Sequence, residues 1–317
     1  MRSTLTVLAA AGALLLAGCA SDAADGPDET TAPEQTSAAG GAVTVGGPNF
    51  TEGLIMTEMY KALLEEAGYD VTVQTVDNRE VYAPALERGE IDVVPEYLAT
   101  MTEYLNLDVN GPDAELVATP DPAETAQALT ELGEEVGLVP LEPAQAANQN
   151  AFFVTEQLAE QEGLTTLSDL AALGEPVVLA ATEECPERPF CQLGLQDVYG
   201  LQISEVTPLG FGSPQTKQAV VDGQATLGLT GTTDGTLESF GLVILEDDQN
   251  LQLADNLVPV VNADVAQDQA LVDALDSLAS VLTTDDLAAL NAAVDQERQK
   301  PADVAQQYLQ EAGLVGG

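Results

Sequence analysis

The chain has 317 residues, 53 of them Asp or Glu and 8 Lys or Arg, with no His, for a formal net charge of −45. A surface this acidic repels phosphate backbones and anionic headgroups, so no nucleic-acid partner and no attachment through a basic patch are expected. The missing imidazole removes Ser-His-Asp and Cys-His triads and HExxH zinc sites, while 45% apolar residues leave enough mass for a folded core.

Arg2 is the only charge before an apolar run over residues 5–17, which leads into Leu16-Ala17-Gly18-Cys19. A positive start, a short apolar stretch and small residues before the cut predict a signal peptide over residues 1–18, not a membrane-spanning helix. Cys19 reads either as an incidental cysteine or as a lipidation site, because the pattern resembles the lipobox of bacterial lipoproteins. Residues 19–42, rich in Ala, Gly, Ser, Thr, Pro and acid, read as that lipidated cysteine and a flexible tether. The expected location is the extracytoplasmic face of the cell membrane, with the lipid as anchor.

A strand is predicted over 42–45, broken by Gly46-Gly47-Pro48, then a helix capped by Thr51 with Ile55, Met59, Ala62 and Leu63 on its apolar face. A strand over 71–76, a helix over 79–88, a strand over 91–94 and helices over 97–105 and 122–132 follow. A second set starts near Ala151 with a strand, helices near Gln157 and Ser168, and strands over 176–181, 205–209 and 225–229. Strands over 242–245 and 257–261 lead into a helical tail, where Leu271, Leu275, Leu278 and Leu282 share a face and Pro301 opens the last helix. Alternation of this kind predicts an α/β fold of parallel sheets covered by helices. Two such sets predict two lobes with a ligand cleft between them, since open α/β sheets bind beyond the carboxyl ends of their strands.

Cys185 and Cys191 in an exported protein predict a local disulfide. The bridge either staples a loop or holds Arg188, which lies inside it, in a fixed pose. Asp247-Asp248 and the acidic tail lack the spacing of an EF-hand loop, so neither a metal nor a cofactor is expected.

Gly46-Gly47-Pro48-Asn49-Phe50-Thr51-Glu52, then Gly89-Glu90-Ile91-Asp92 leading into Pro95-Glu96-Tyr97-Leu98-Ala99-Thr100, then Glu142-Pro143-Ala144, Arg188-Pro189 and Thr232-Thr233-Asp234-Gly235 occur in order. Together they resemble the osmoprotectant substrate-binding proteins of ABC transporters, the receptors for glycine betaine, choline and carnitine, over residues 43–315. The resemblance implies a class II periplasmic-binding fold, with lobe one at residues 43–148 plus 236–317 and lobe two at 149–235. It implies a binding protein and not an enzyme, whose partners are a small-molecule solute and the permease subunits. Such receptors hold a trimethylammonium head among aromatic rings, because that cation has no N–H to donate and is drawn to ring faces. A carboxylate tail is gripped by cationic side chains.

By that resemblance Tyr97 is a cage ring, Thr100 and Arg188 bind the tail, and Asn49 and Phe50 line the cleft after the first strand. Asn148 and Asn150 stand where an acid and a ring are common, and Lys217 falls near another ring position. Thr233 joins the ligand set, with Arg79 and Tyr82 from the second helix. A site holding Asn148, Asn150, Arg79, Lys217 and Arg188 suits a polar or anionic solute better than a bare quaternary amine. On periodicity alone, Tyr97 also reads as a core ring with Tyr104, Glu96 as a solvated acid and Arg79 as a surface partner of Glu80 or Asp77. The abundance of acids keeps a second class open, an exported carboxylate-dependent glycoside hydrolase using a pair such as Glu80 and Glu96.

Overall fold

The computed structural model describes residues 40–316; the expected signal peptide, the Cys19 lipidation site and the tether up to residue 39 lie outside the described residues. Ala42–Pro48 (β1), Thr51–Glu66 (α1), Asp70–Val76 (β2), Arg79–Glu87 (α2), Val93–Tyr97 (β3), Leu98–Asn110 (α3), Pro122–Val136 (α4) and Leu138–Pro140 (β4) come first. Asn150–Thr155 (β5), Glu156–Glu162 (α5), Leu167–Ala172 (α6), Val177–Ala181 (β6), Gly194–Asp197 (α7), Ile203–Pro208 (β7), Pro214–Val221 (α8), Leu227–Gly231 (β8) and Leu242–Leu245 (β9) follow. Last are Leu257–Asn262 (β10), Gln269–Ala279 (α9), Thr284–Asp295 (α10) and Pro301–Glu311 (α11).

The strands form two five-stranded sheets, ordered β2-β1-β3-β10-β4 and β7-β6-β8-β5-β9. Neither is wholly parallel, as the alternation had suggested. In the first, β10 runs against β3 and β4, and in the second, β5 runs against β8 and β9. Topology gives the reason. β5 is the first strand after the chain leaves the first sheet, and β10 the first after it returns, so each enters from the edge where the parallel strands end.

The second lobe also reaches further than residue 235. Phe152 of β5 pairs with Leu245 of β9, so β9 belongs to the second sheet and the return crossing lies between β9 and β10. Gly241, at φ 65°, supplies the left-handed turn that sends the chain back into the same sheet.

Period-two alternation on β10 builds two apolar layers. Leu257 and Val261 pack with Ile55, Met59 and Leu275, while Val258 and Val260 pack with Leu86, Leu98 and Leu129. β10 is buried throughout, and each such side chain stabilises the lobe by roughly 1.5–3 kcal/mol. Leu278, Leu287 and Leu309 place α9, α10 and α11 on the same layer as α1, so the helical tail completes the first lobe. In the second lobe Phe152, Leu179 and Leu227 face one layer, and Phe153 and Ala180 the other. Among the described residues no helix is long and apolar enough to cross a membrane.

Two local differences from the sequence reading bear on function. Phe50 holds the cap position of α1, and Thr51 instead donates its hydroxyl to Asp295 at 2.6 Å. The third strand runs on through Pro95 to Tyr97, because Pro95 lies opposite Pro259, a pairing in which neither residue supplies an N–H. Glu96 and Tyr97 therefore end a strand, and Tyr97 is also the cap residue from which α3 starts.

Candidate functional site

A cavity of about 420 Å³ lies between the carboxyl ends of the parallel strands of both sheets. The first lobe contributes Pro48, Asn49 and Phe50 after β1, Asp77 and Asn78 after β2, Arg79 and Tyr82 on α2, Tyr97 at the end of β3, and Thr100 on α3. From the second lobe come Thr182, Glu183 and Glu184 after β6, Arg188, and Gly210 and Phe211 after β7; Asn148, Asn150 and Asp255 stand on or beside the two crossings. A Cβ at Gly53 would sit 2.6 Å from the Pro48 carbonyl oxygen, so glycine lets α1 start hard against the end of β1 and fixes where Phe50 projects.

Three rings converge there. Phe50 stacks on Tyr97 with ring centroids 6.4 Å apart, and Phe211 approaches Phe50 from the second lobe at 5.1 Å. The far end of Tyr97 is tied down: its hydroxyl donates to Glu52 Oε1 at 2.6 Å. Glu52, only 2% exposed, also accepts from Asn148 Nδ2 at 2.8 Å, Thr233 Oγ1 at 2.7 Å and Asn291 Nδ2 at 2.7 Å. Burial, and then the neighbouring Glu52, hold the Tyr97 phenol well above its usual range, so the ring stays neutral.

Charged groups pair across the same wall. Arg79 is buried and gives Glu96 two hydrogen bonds at 2.7 and 2.6 Å, with a third to Thr100 at 2.9 Å. Burial opposes its charge, but Glu96, Tyr82 and Asp255 together outweigh burial and keep the guanidinium well above its usual range. Tyr82 adds its hydroxyl to Glu96 at 2.6 Å. Arg188 donates to Glu80 and stands 3.2 Å from Glu184, on the loop closed by the Cys185–Cys191 disulfide. Burial favours neutral Glu80, yet the hydrogen bonds and charge of Arg188 prevail and lower its pKa. Burial pushes Asp255 up to about 7, against the pull of Thr100 and Arg79.

Of the residues singled out from sequence, Asn49, Phe50, Arg79, Tyr82, Tyr97, Thr100, Asn148, Asn150 and Arg188 all line the cavity. Lys217 and Thr233 do not. Lys217 is buried in an ion pair with Asp234 at 2.7 Å and lines a second cavity of about 850 Å³ that shares Phe50 and Phe211 as walls. Its charge is too well compensated there to serve a ligand in the first. Thr233 spends its hydroxyl on Glu52, behind the ring wall. Arg79 pairs with buried Glu96, not with Glu80 or Asp77 at the surface, because the late end of β3 aims Glu96 at α2. Both cavity arginines are paired with protein carboxylates, Arg79 with Glu96 and Arg188 with Glu80 and Glu184, through Nε and Nη2.

Phe211, Asp77, Glu184 and Asp255 line the cavity without having been picked out. Phe211 carried a signal, a lone ring between Gly210 and Gly212 directly after a strand and before the Ser213 cap of α8, the place where α/β proteins put ligands. Asp255 carried none, since its hydrogen-bond partner Thr100 is 155 residues away.

Two α/β lobes whose parallel strands end at one shared, ring-lined cavity define a two-lobed solute-binding protein. The model for the substrate binding domain of the ABC-type glycine betaine transport system matches residues 41–311. A glycine-betaine-binding protein of Pseudomonas aeruginosa is 32% identical over 284 residues, covering 86% of this chain and 88% of that relative. The glycine betaine-binding protein YehZ of Escherichia coli is 28% identical, covering 86% and 90%. The fold is similar to the solved structure of a glycine betaine/carnitine/choline ABC transporter, with a TM-score of 0.63 at 21% identity over 86% of this chain and 98% of that one. It is also similar to lactococcal OpuAC in its closed form with glycine betaine, with a TM-score of 0.59 at 13% identity over 86% and 96%. The chain belongs to the family of substrate-binding domains of ABC-type glycine betaine transport systems.

Proposed function

We propose that this protein is the extracytoplasmic receptor of an ABC importer, anchored by lipid at Cys19, that captures a quaternary-ammonium solute between its lobes and delivers it to the permease subunits. The convergence of Phe50, Tyr97 and Phe211 on one cavity carries this reading. Each ring face offers a cation about 0.5–2 kcal/mol, more when water is excluded. Phe50 and Tyr97 belong to the first lobe and Phe211 to the second, so a head group gains all three only when the lobes are together. Ligand then favours the closed state by its differential affinity, and the closed surface is what a permease would recognise.

The names of the Pseudomonas and Escherichia relatives support a glycine betaine-type solute. Nothing supports a glycoside hydrolase. Glu80 is held by Arg188, and Glu96 is fully buried beneath Arg79, so neither offers a free carboxyl to a glycosidic bond. Titration calorimetry with glycine betaine, choline, carnitine and proline betaine tests the reading. It expects one-to-one binding of at least one without turnover; steady product formation, or no binding by any, would contradict it.

A further inference from the structure

Thr233 stands within the Thr232-Thr233-Asp234-Gly235 motif yet outside the ring-lined cavity, on the turn that follows β8 in the second lobe. Its hydroxyl donates to Glu52 Oε2 at 2.7 Å. Glu52 lies in the first turn of α1 in the other lobe, and each of its oxygens accepts twice. Oε1 takes the Tyr97 hydroxyl and Asn148 Nδ2, while Oε2 takes Thr233 and Asn291 Nδ2. A carboxylate offers about four lone-pair sites, and here all are used.

The four donors come from four places: the ring wall, the first crossing, the second lobe and α10. The turn of the second lobe is also seated on the crossing, since Thr232 donates its N–H to the Gln149 carbonyl at 2.9 Å and Thr233 donates its own to Asn148 Oδ1 at 3.4 Å. A Cβ at Gly231 would overlap the Asn148 side chain, so glycine is what lets the turn come this close. Tyr97 meets the cavity with its ring and Glu52 with its hydroxyl, the one polar group that can fix the ring's tilt. A cation is attracted only where it lies over a ring face, so tilt translates into affinity. Without the Thr233 hydroxyl, Oε2 keeps a single donor, and the carboxylate can turn and carry the Tyr97 hydroxyl with it.

We propose that Glu52 and Thr233 are positioning residues for the solute: acting through the Tyr97 hydroxyl, they set the tilt of that ring and make it depend on how the second lobe is seated. Neither touches the solute. This rests on the reading of the cavity as a quaternary-ammonium receptor. It gives the Thr233 position a part in binding that contact with the ligand does not supply.

Thr233→Val removes the hydroxyl with little change of shape, and Thr233→Ser keeps it. Calorimetry with glycine betaine and with choline should find Thr233→Val weaker by roughly three- to tenfold for each that binds, and Thr233→Ser within about twofold of the wild type. A melting curve for each variant records the loss of stability separately. The deciding measurement is the cycle with Tyr97→Phe, which keeps the ring and cuts its link to Glu52. In that background Thr233→Val should change affinity by less than about twofold while still lowering Tm. Glu52→Gln, cycled with Tyr97→Phe in the same way, reads the same link if Thr233→Val folds poorly. Affinity unchanged by the single variants, or losses that simply multiply in the double variants, would make the cluster structural only and overturn the proposal, leaving the receptor reading standing. Heat from neither ligand on the wild type overturns both.

Discussion

Arg188, on the disulfide-closed loop of the second lobe, donates to both carboxylate oxygens of Glu80 in the first turn of α2, at 2.9 to 3.1 Å across the cleft. The resemblance had made it a grip for the ligand's tail; in the structure it joins the lobes to each other. The pair is half-exposed, with side chains 28% and 39% accessible, so its contribution to the closed state is modest, about 0.2–1 kcal/mol.

Arg188→Ala should therefore shift the ligand-free protein toward the open form by roughly two- to fivefold. Energy transfer between dyes on the two lobes reads this directly. Raising salt should move the wild type the same way and the variant less, because exposed pairs are screened. An unchanged open fraction would show that the pair does not act as a latch.

Phe211→Ala removes the ring supplied by the second lobe. Affinity for quaternary-ammonium ligands should fall by about 0.5–2 kcal/mol, roughly two- to thirtyfold, and calorimetry measures it. Tyr97→Phe keeps its ring face and should lose less.

Much of the fold was legible because apolar periodicity directly reports which faces are buried. The face of α1 through Ile55 and Met59 and the face of α9 through Leu271, Leu275 and Leu278 all pack as read. Strand direction was not legible, since periodicity says nothing of the side from which β5 and β10 enter their sheets. In the cleft, motif positions located Tyr97 and Arg188, but not their partners. Glu80 lies 108 residues from Arg188 and Glu52 lies 45 from Tyr97, and only the fold brings such groups together. Lys217 was misplaced for the same reason, its position being decided by Asp234.

Glu52→Ala leaves the donors of Tyr97, Asn148, Thr233 and Asn291 without their acceptor inside the protein. Loss of so many buried hydrogen bonds should cost about 3–5 kcal/mol, a drop of roughly 10 °C in Tm. Glu52→Gln keeps an acceptor and should fall between; a Tm within error of the wild type for the alanine variant would contradict the assignment.

Asp255 gives stability a pH dependence of definite sign. Its carboxyl is pushed up to about 7 in the fold, while the unfolded chain releases that proton near about 3.9. The folded state therefore binds the extra proton between these values, and stability declines as pH rises from about 4 to about 7, then levels. Asp255→Asn removes the term, so the variant's Tm advantage should grow across that window and then hold constant. Parallel Tm profiles for the two proteins would contradict it.

Reduction of Cys185–Cys191, which are separated by 6 in sequence, should lower stability by about 2 kcal/mol through the loop it releases. It should also loosen Arg188 from Glu80 and raise the open fraction in the energy-transfer measurement. A fall in Tm with no change in opening would limit the bridge to stapling the loop.

The most direct test of the central claim is a crystal structure of the protein with a bound quaternary-ammonium solute. The account predicts closed lobes with the head-group nitrogen within about 6 Å of the ring centroids of Phe50, Tyr97 and Phe211. A solute seated instead in the second cavity beside Lys217, or held away from the three rings, would contradict it.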